Sequence, residues 1–331
     1  MKLLFNRWST CLLAIFFTII LIITLFLNSD NTFLTPLLII LSLIGIYNIL
    51  LETYVALTFI SPGKRKVSLD QENWEQLRLT HEGPEVVVFK NINFKSAPLV
   101  LLIHGWRSSS SSMLGRAELY LDNGFNVMIM ELPGHGSAEG VSKWNAGVSV
   151  RNLIHLFTNL DHVCDMSSIS NIYLHGHSMG GFVFLRFSRE SANLKYNHLV
   201  KGYILESPLT CYSEIFEESC RMLKVPKIIK PLFWNRLKFH FNMINPSFEN
   251  ISDTKDVDVP IWGLPDVPTL IVQAANDERL GQIHYERLVE SFKSTDRFNL
   301  LSHIVIDDLT HAGARNSISR NNAIMDWLES N

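Results

Sequence analysis

Ile172-Tyr173-Leu174-His175-Gly176-His177-Ser178-Met179-Gly180-Gly181 is the stretch on which the reading of this chain turns. It opens on an apolar run suited to a strand, and the residues after it, 180–189, carry a helical pattern. Between the two stands a serine with a glycine two positions to either side. Strand, sharp turn and helix in that order give Gly-x-Ser-x-Gly its meaning, because the turn forces unusual backbone angles on the serine and the glycines leave room for it. The Ser178 hydroxyl is then expected at the carboxyl edge of a strand and at a helix N-terminus, whose dipole favours developing negative charge. The bland alternative is a chance glycine-rich turn. The ordered context argues against it.

Outward from this turn, short apolar runs alternate with helical patterns from about residue 64 onward. The runs at 86–89, 99–103, 125–130, 172–174, 203–205, 270–272 and 304–306 read as strands, several apolar throughout, as parallel strands buried on both faces are. The segments 148–163, 180–189 and 321–328 read as helices, with Leu153, Phe157 and Leu160 at helical spacing. The expected fold class is α/β: an open, mostly parallel sheet with helices on both faces.

A serine hydroxyl is a weak nucleophile; it needs a base, and the base needs an orienting acid. In this topology the chain order is serine, acid, histidine. Asp277 follows the strand at 270–272 after Ala274-Ala275-Asn276, and His311 follows the strand at 304–306, so both are expected at carboxyl strand ends, where open α/β sheets place their sites. His284, within a helix, and His303, at the entry end of its strand, are poorer bases. Glu206, directly after the strand at 203–205, is the rival acid, and a helix N-cap ahead of 282–292 is the structural alternative for Asp277. Acyl transfer also needs two oxyanion donors. The amide of Met179 is one by position, and the Trp106 amide in His104-Gly105-Trp106, after the strand at 99–103, is the natural second. His104 reads as a brace for that loop. Pro133-Gly134-His135-Gly136 reads as a structural turn with no chemistry for His135.

These motifs resemble the α/β-hydrolase superfamily, in particular its branch of serine aminopeptidases, monoglyceride lipases and related esterases. The resemblance rests on His104-Gly105, Pro133-Gly134-His135-Gly136, Gly176 to Gly181, Asp277 and His311, and it spans roughly residues 85–330. Ala274 and Thr310 stand where the family usually carries glycine, and Ser137 comes one position early. The resemblance implies the α/β-hydrolase fold with a short helical cap at about 207–265, no metal and no cofactor. A single glycine followed by a bulky residue in the oxyanion loop, here Gly105-Trp106, implies ordinary acyl esters. Within the expected cap, residues 221–240 hold six Lys or Arg and no acid, interleaved with apolar residues. That pattern fits either a surface resting on anionic lipid or an ordinary cap with its lysines in solvent. Pro226 and Pro231 are expected to break it into short helices.

The first 63 residues have another texture. Two apolar stretches, about 8–27 and 37–60, are each long enough to cross a hydrocarbon core of ~30 Å. A polar turn at 28–36 joins them. Lys2 and Arg7 precede the first and Lys64, Arg65 and Lys66 follow the second, while the turn carries only Asp30. By the positive-inside rule this is a transmembrane hairpin with both ends, and so the domain of 64–331, in the cytoplasm. A cleaved signal peptide and an interfacial second helix, prompted by Glu52, are the competing readings. Charged residues are only 18% of the 331, against ~25% in soluble domains, which fits a lipid-embedded part. The net charge of −3 gives no case for a nucleic-acid partner. Cys11, Cys164, Cys211 and Cys220 are too few and scattered for a disulfide framework or a zinc site. The expected function is a membrane-anchored serine hydrolase cleaving carboxylic esters, lipid-like or small, of monoacylglycerol or lysophospholipid type. Thioesterase or aminopeptidase action on the same triad, and a non-catalytic binding protein on a membrane tether, are the alternatives.

Overall fold

The computed structural model describes residues 7–27, 34–59, 66–70, 72–312 and 316–331. Lys2, most of the expected turn at 28–36, and Lys64 and Arg65 lie outside the described residues. Two compact units are present: one takes the described residues of Met1–Ser61 with Ser142–Trp144 and Phe216–Asn250, the other holds the remainder.

The larger unit is built on eight strands: β1 (Glu75–Leu79), β2 (Val86–Asn91), β3 (Ala97–Ile103), β4 (Asn126–Glu131), β5 (Ile169–His177), β6 (Val200–Glu206), β7 (Thr269–Asn276) and β8 (Leu301–Thr310). They pair in the order β1-β2-β4-β3-β5-β6-β7-β8. β1 with β2 and β2 with β4 are antiparallel, and every later pairing is parallel. Val100 and Leu102 of β3 join one core layer with Val127, Ile129, Ile204, Leu270, Val272 and Trp327. Leu99, Leu101 and Ile103 are equally buried and, by strand alternation, point to the opposite face. Burial on both faces explains why these strands read as unbroken apolar runs.

Ten α-helices accompany the strands among the described residues: α1 (Arg7–Leu27), α2 (Leu34–Thr58), α3 (Leu114–Asp122), α4 (Ala146–Thr158), α5 (Leu160–Val163), α6 (Met179–Glu190), α7 (Tyr212–Met222), α8 (Lys230–Ile244), α9 (Gln282–Ser294) and α10 (Ile318–Ser330). The single helix expected over 148–163 is interrupted at Asn159, which caps α4 and leads into the short α5. The shift of strand order at β4 and β3 leaves the carboxyl ends of β3 and β5 side by side, with Ile103 level with Gly176. Gly176 is level with Leu205, Glu206 with Val272, and Asn276 with Thr310. The loops that follow β3, β5, β6, β7 and β8 therefore emerge along one edge.

In the smaller unit α1 packs along α2, close enough at Gly45 that an added Cβ would lie 3.4 Å from the Phe17 ring. The stretch Thr35–Thr58 of α2 is long and apolar enough to cross a membrane, and Ile15–Leu27 of α1 is a shorter apolar stretch among the described residues. Glu52, the charge within α2, is met by α8: Arg236 Nε lies 3.1 Å from one carboxylate oxygen and His240 Nε2 donates to the other at 3.0 Å. Lys143 Nζ donates to His240 Nδ1, and Arg236 donates to Asn48 of α2. Tyr54 packs on Phe233, and Phe216 on Phe233 and Trp234. Pro226 lies between α7 and α8 and Pro231 in the first turn of α8, where a missing N–H costs nothing, so the 221–240 stretch is divided between two helices.

Candidate active site

The turn after β5 holds Ser178 at φ 52°, ψ −112°, a left-handed geometry that an ordinary turn avoids. The surroundings fix it there. The Ser178 amide donates to the Glu206 carbonyl at 3.0 Å, and the Ser178 carbonyl accepts from Leu209 at 3.1 Å. Glycine at 180 is required by contact: a Cβ there would stand 2.1 Å from the Ile103 carbonyl oxygen. A Cβ at Gly176 would stand 2.5 Å from the Gly181 nitrogen. The motif is thus the backbone solution to bringing α6 tight against the end of β3.

From this turn a chain of contacts runs across the sheet edge. Ser178 Oγ lies 3.0 Å from His311 Nε2, and His311 Nδ1 lies 2.8 Å from Asp277 Oδ2. All three residues are buried. Burial alone would raise the Asp277 carboxyl. The hydrogen bond from His311, the amides of Leu280 and Arg279 and the charge of His311 outweigh it, pulling the acid down to about 2. Asp277 thus holds the Nδ1 side of the His311 ring, which turns Nε2 toward the serine. β7 runs on through Ala274 to Asn276, so Asp277 leaves the strand directly where the sequence had suggested a three-residue turn.

The loop after β3 meets the same point. A Cβ on Gly105 would stand 3.2 Å from Ser178 Cβ, so the loop passes against the serine only because position 105 is bare. Trp106 follows, its ring edge-on to His135 at 5.0 Å. Met179 is the first residue of α6, and an amide there has no acceptor within its own helix. His104 braces the loop, donating from Nδ1 to the Gly105 carbonyl at 2.8 Å and accepting at Nε2 from Leu132 at 3.2 Å. His135 also holds it, its Nε2 accepting the Arg107 amide at 3.1 Å.

Other candidates are engaged elsewhere. Glu206 forms a buried pair with Arg116 and contacts His175 Nε2 at 3.3 Å. The Arg116 charge and these hydrogen bonds hold its carboxyl well below the usual range despite burial, which alone would raise it. His284 Nδ1 accepts from the amides of Thr210 and Cys211, and His303 bonds the Tyr285 hydroxyl. One neighbour of Ser178 went unassigned in the sequence. His177 donates from Nε2 to the carbonyl of His311 at 2.6 Å, and its Nδ1 lies where a Gly105 side chain would be, 3.1 Å from an added Cβ. Burial pushes its imidazole down to about 3, with the Arg116 charge adding to the effect, so it stays a neutral donor. Its place beside the serine was visible in the sequence; its partner, 134 residues away, was not.

No curated protein matches this sequence. Among solved structures the chain is similar to the esterase Pf2001 of Pyrococcus furiosus, with TM-score 0.59 and 16% identity over 82% of this chain and 99% of that one. It is also similar to Est1E of Butyrivibrio proteoclasticus with ferulic acid bound, at TM-score 0.55 and 17% identity, covering 77% and 98%. A third similar structure is α/β hydrolase domain-containing protein 10 of mouse, at TM-score 0.54 and 14% identity, covering 77% and 97%. Identities this low speak to fold. The family model described as serine aminopeptidase, S33, matches residues 95–260, half of the sequence, from β3 through the strand–turn–helix at Ser178 to the segment before β7. The chain therefore belongs to the serine aminopeptidase S33 family of hydrolases, within the α/β-hydrolase superfamily.

Proposed function

We propose that this protein is a membrane-anchored serine hydrolase that cleaves carboxylic esters of lipid-like type, such as monoacylglycerols or lysophospholipids. The observation that carries the reading is the contact chain from Asp277 through His311 to Ser178. His311 Nε2 takes the Ser178 proton as Oγ attacks the acyl carbon, and Asp277 steadies the imidazolium so formed. The carbonyl electrons move onto oxygen, which the Trp106 and Met179 amides receive, each worth roughly 3 kcal/mol to the transition state. Collapse expels the alcohol, which takes its proton from His311. Water then gives a proton to His311 and attacks the acyl-enzyme, and the second tetrahedral intermediate releases the acid and restores Ser178.

The anchor is read as residues 1–63 with two spans, and 64–331 as a cytoplasmic domain with the insertion at about 207–265 as its cap. The hydropathy of α2 and the basic residues at 64–66 support this. Cleavage of an N-terminal aminoacyl amide is a second reading, favoured by the matched family's own description. One experiment separates these readings. The full-length protein in mild detergent is offered p-nitrophenyl esters, monoacylglycerol, an acyl-CoA and an aminoacyl anilide, beside a fluorophosphonate probe. Esters should turn over and the probe should label Ser178, with both lost in Ser178→Ala. Labelling mapped to another residue overturns the nucleophile, anilide turnover alone moves the substrate to peptides, and an unlabelled, inert protein means a binding module.

A further inference from the structure

Helix α8 has two unlike faces. Phe233, Leu237 and His240 are buried within the smaller unit, where α8 meets α2. Leu232, Phe239 and Met243 recur at helical spacing along another stripe and are 45%, 56% and 41% exposed. Ahead of that stripe, Met222 at the end of α7 and Ile228 in the link to α8 are 76% and 84% exposed. Large apolar side chains left open in this number, on one short segment, are the mark of a surface made to be covered. Cations accompany them. Arg221, Lys224 and Lys227 are all exposed, and no Asp or Glu occurs from 221 to 240. Lys230 and Arg236 differ, being paired with Glu217 and Glu52.

What covers the stripe follows from the helix beneath it. α8 is fixed to α2 by Arg236 and His240 on Glu52, by Arg236 on Asn48 and by Phe233 on Tyr54. These contacts fall in the C-terminal half of α2, the end at which that helix leaves the bilayer on the anchor reading proposed above. A segment docked at this level, with bare apolar residues and adjoining cations, matches the boundary between headgroups and acyl chains. We infer that the 221–243 segment is an interfacial element whose outer face lies in the headgroup layer of an anionic membrane, held there by Glu52 of α2. The inference rests on α2 being membrane-embedded. The ligand class is anionic phospholipid, the acyl boundary receiving Ile228, Leu232 and Phe239 and the headgroups receiving Arg221, Lys224 and Lys227.

The test uses the full-length protein in vesicles of phosphatidylcholine with phosphatidylserine, in a Cys11→Ser background, since Cys164, Cys211 and Cys220 are buried. An environment-sensitive fluorophore is placed in turn at Ile228→Cys, Phe239→Cys and, within the anchor, Ile40→Cys. Lipids carrying a nitroxide near the headgroup should quench the labels at 228 and 239, and iodide in the water should not. Lipids with a deep nitroxide should quench the label at 40. The triple variant Arg221→Gln, Lys224→Gln, Lys227→Gln, or high salt, should move the labels at 228 and 239 toward aqueous emission while leaving that at 40 unchanged. Aqueous, iodide-quenched labels at 228 and 239 beside a lipid-quenched label at 40 overturn the inference and leave the anchor standing. An aqueous label at 40 removes the anchor and this inference together. Labels at 228 and 239 in lipid but indifferent to the triple variant and to salt overturn the preference for anionic lipid.

Discussion

Ser178 holds its strained angles because the Glu206 carbonyl and the Leu209 amide leave it no other place, and because Gly105, Gly176 and Gly180 keep the space around it empty. Asp277 and Glu206, both buried at strand ends, divide the work available to an acid. Asp277 faces His311, whereas Glu206 neutralises Arg116. On the proposed mechanism Asp277→Asn should lower kcat by roughly three to four orders of magnitude with the melting temperature little changed, because the wrong imidazole tautomer then faces the serine. Glu206→Gln should instead cost about 3–5 kcal/mol of stability, leaving a buried guanidinium without its partner. Steady-state kinetics and thermal melts of the two variants decide this, and an exchange of the two phenotypes would move the acid to β6.

At the scale of elements, the contact of α8 with α2 is the most consequential. Glu52 has a side chain 15% exposed and Arg236 one 32% exposed, so their pairing is sheltered but not dry. Glu52→Gln and Arg236→Gln should each lower stability in detergent by about 1 kcal/mol, and the double variant by no more than the worse single one. Full additivity in that cycle would mean the pair is ornamental. The sequence disclosed the elements whose pattern has a single cause: β3, β4 and β5 are buried on both faces and read as apolar runs, and the motif at Ser178 announces its own turn. It concealed those shaped by neighbours. β1, Glu-Gln-Leu-Arg-Leu, lies at the sheet margin with no buried residue and carries no apolar run. β8 reaches Thr310 through Asp307 and Asp308, which face solvent at the opposite edge and look in sequence like a loop. α3 follows a run of serines whose 3₁₀ turn is fastened by Glu131, with Ser110 bonding that carboxylate through both amide and hydroxyl. His177, His311 and Asp277 were legible as residue types at strand ends. The bond from His177 to the His311 carbonyl was not, because pairing between loops leaves no local pattern.

Among the described residues, His104, His175, His177 and His284 are buried histidines that burial pushes down, and they shape the response to acid. Burial depresses His175 to about 4, His177 to about 3 and His284 to about 4. In the unfolded chain each returns to ~6.5. Below that value the unfolded state takes up protons that the folded state refuses, so their contribution is complete above pH ~6.5 and is lost as the pH falls toward 4 and 3. Each group contributes a slope of up to about 1.4 kcal/mol per pH unit within that window. Asp277, depressed to about 2, adds a loss only below ~4. Melting temperatures in mild detergent should therefore fall steadily from pH 7 to pH 5, well above the range in which carboxylates titrate. A flat profile over that interval would show that the folded protein takes up protons on these imidazoles as readily as the unfolded chain does.

The pairing of Glu52 also has a history in time. Its partner His240 lies 188 residues further along the chain. At ~5–20 residues per second, synthesis delivers that partner roughly 10–40 s after Glu52 itself. If α2 enters the bilayer as it is made, its carboxylate waits through that interval without Arg236 or His240. Insertion must then be secured by the apolar run ahead of Glu52 alone. A polar substitution within that run would be felt during biogenesis, as lost membrane integration, more heavily than the finished structure suggests.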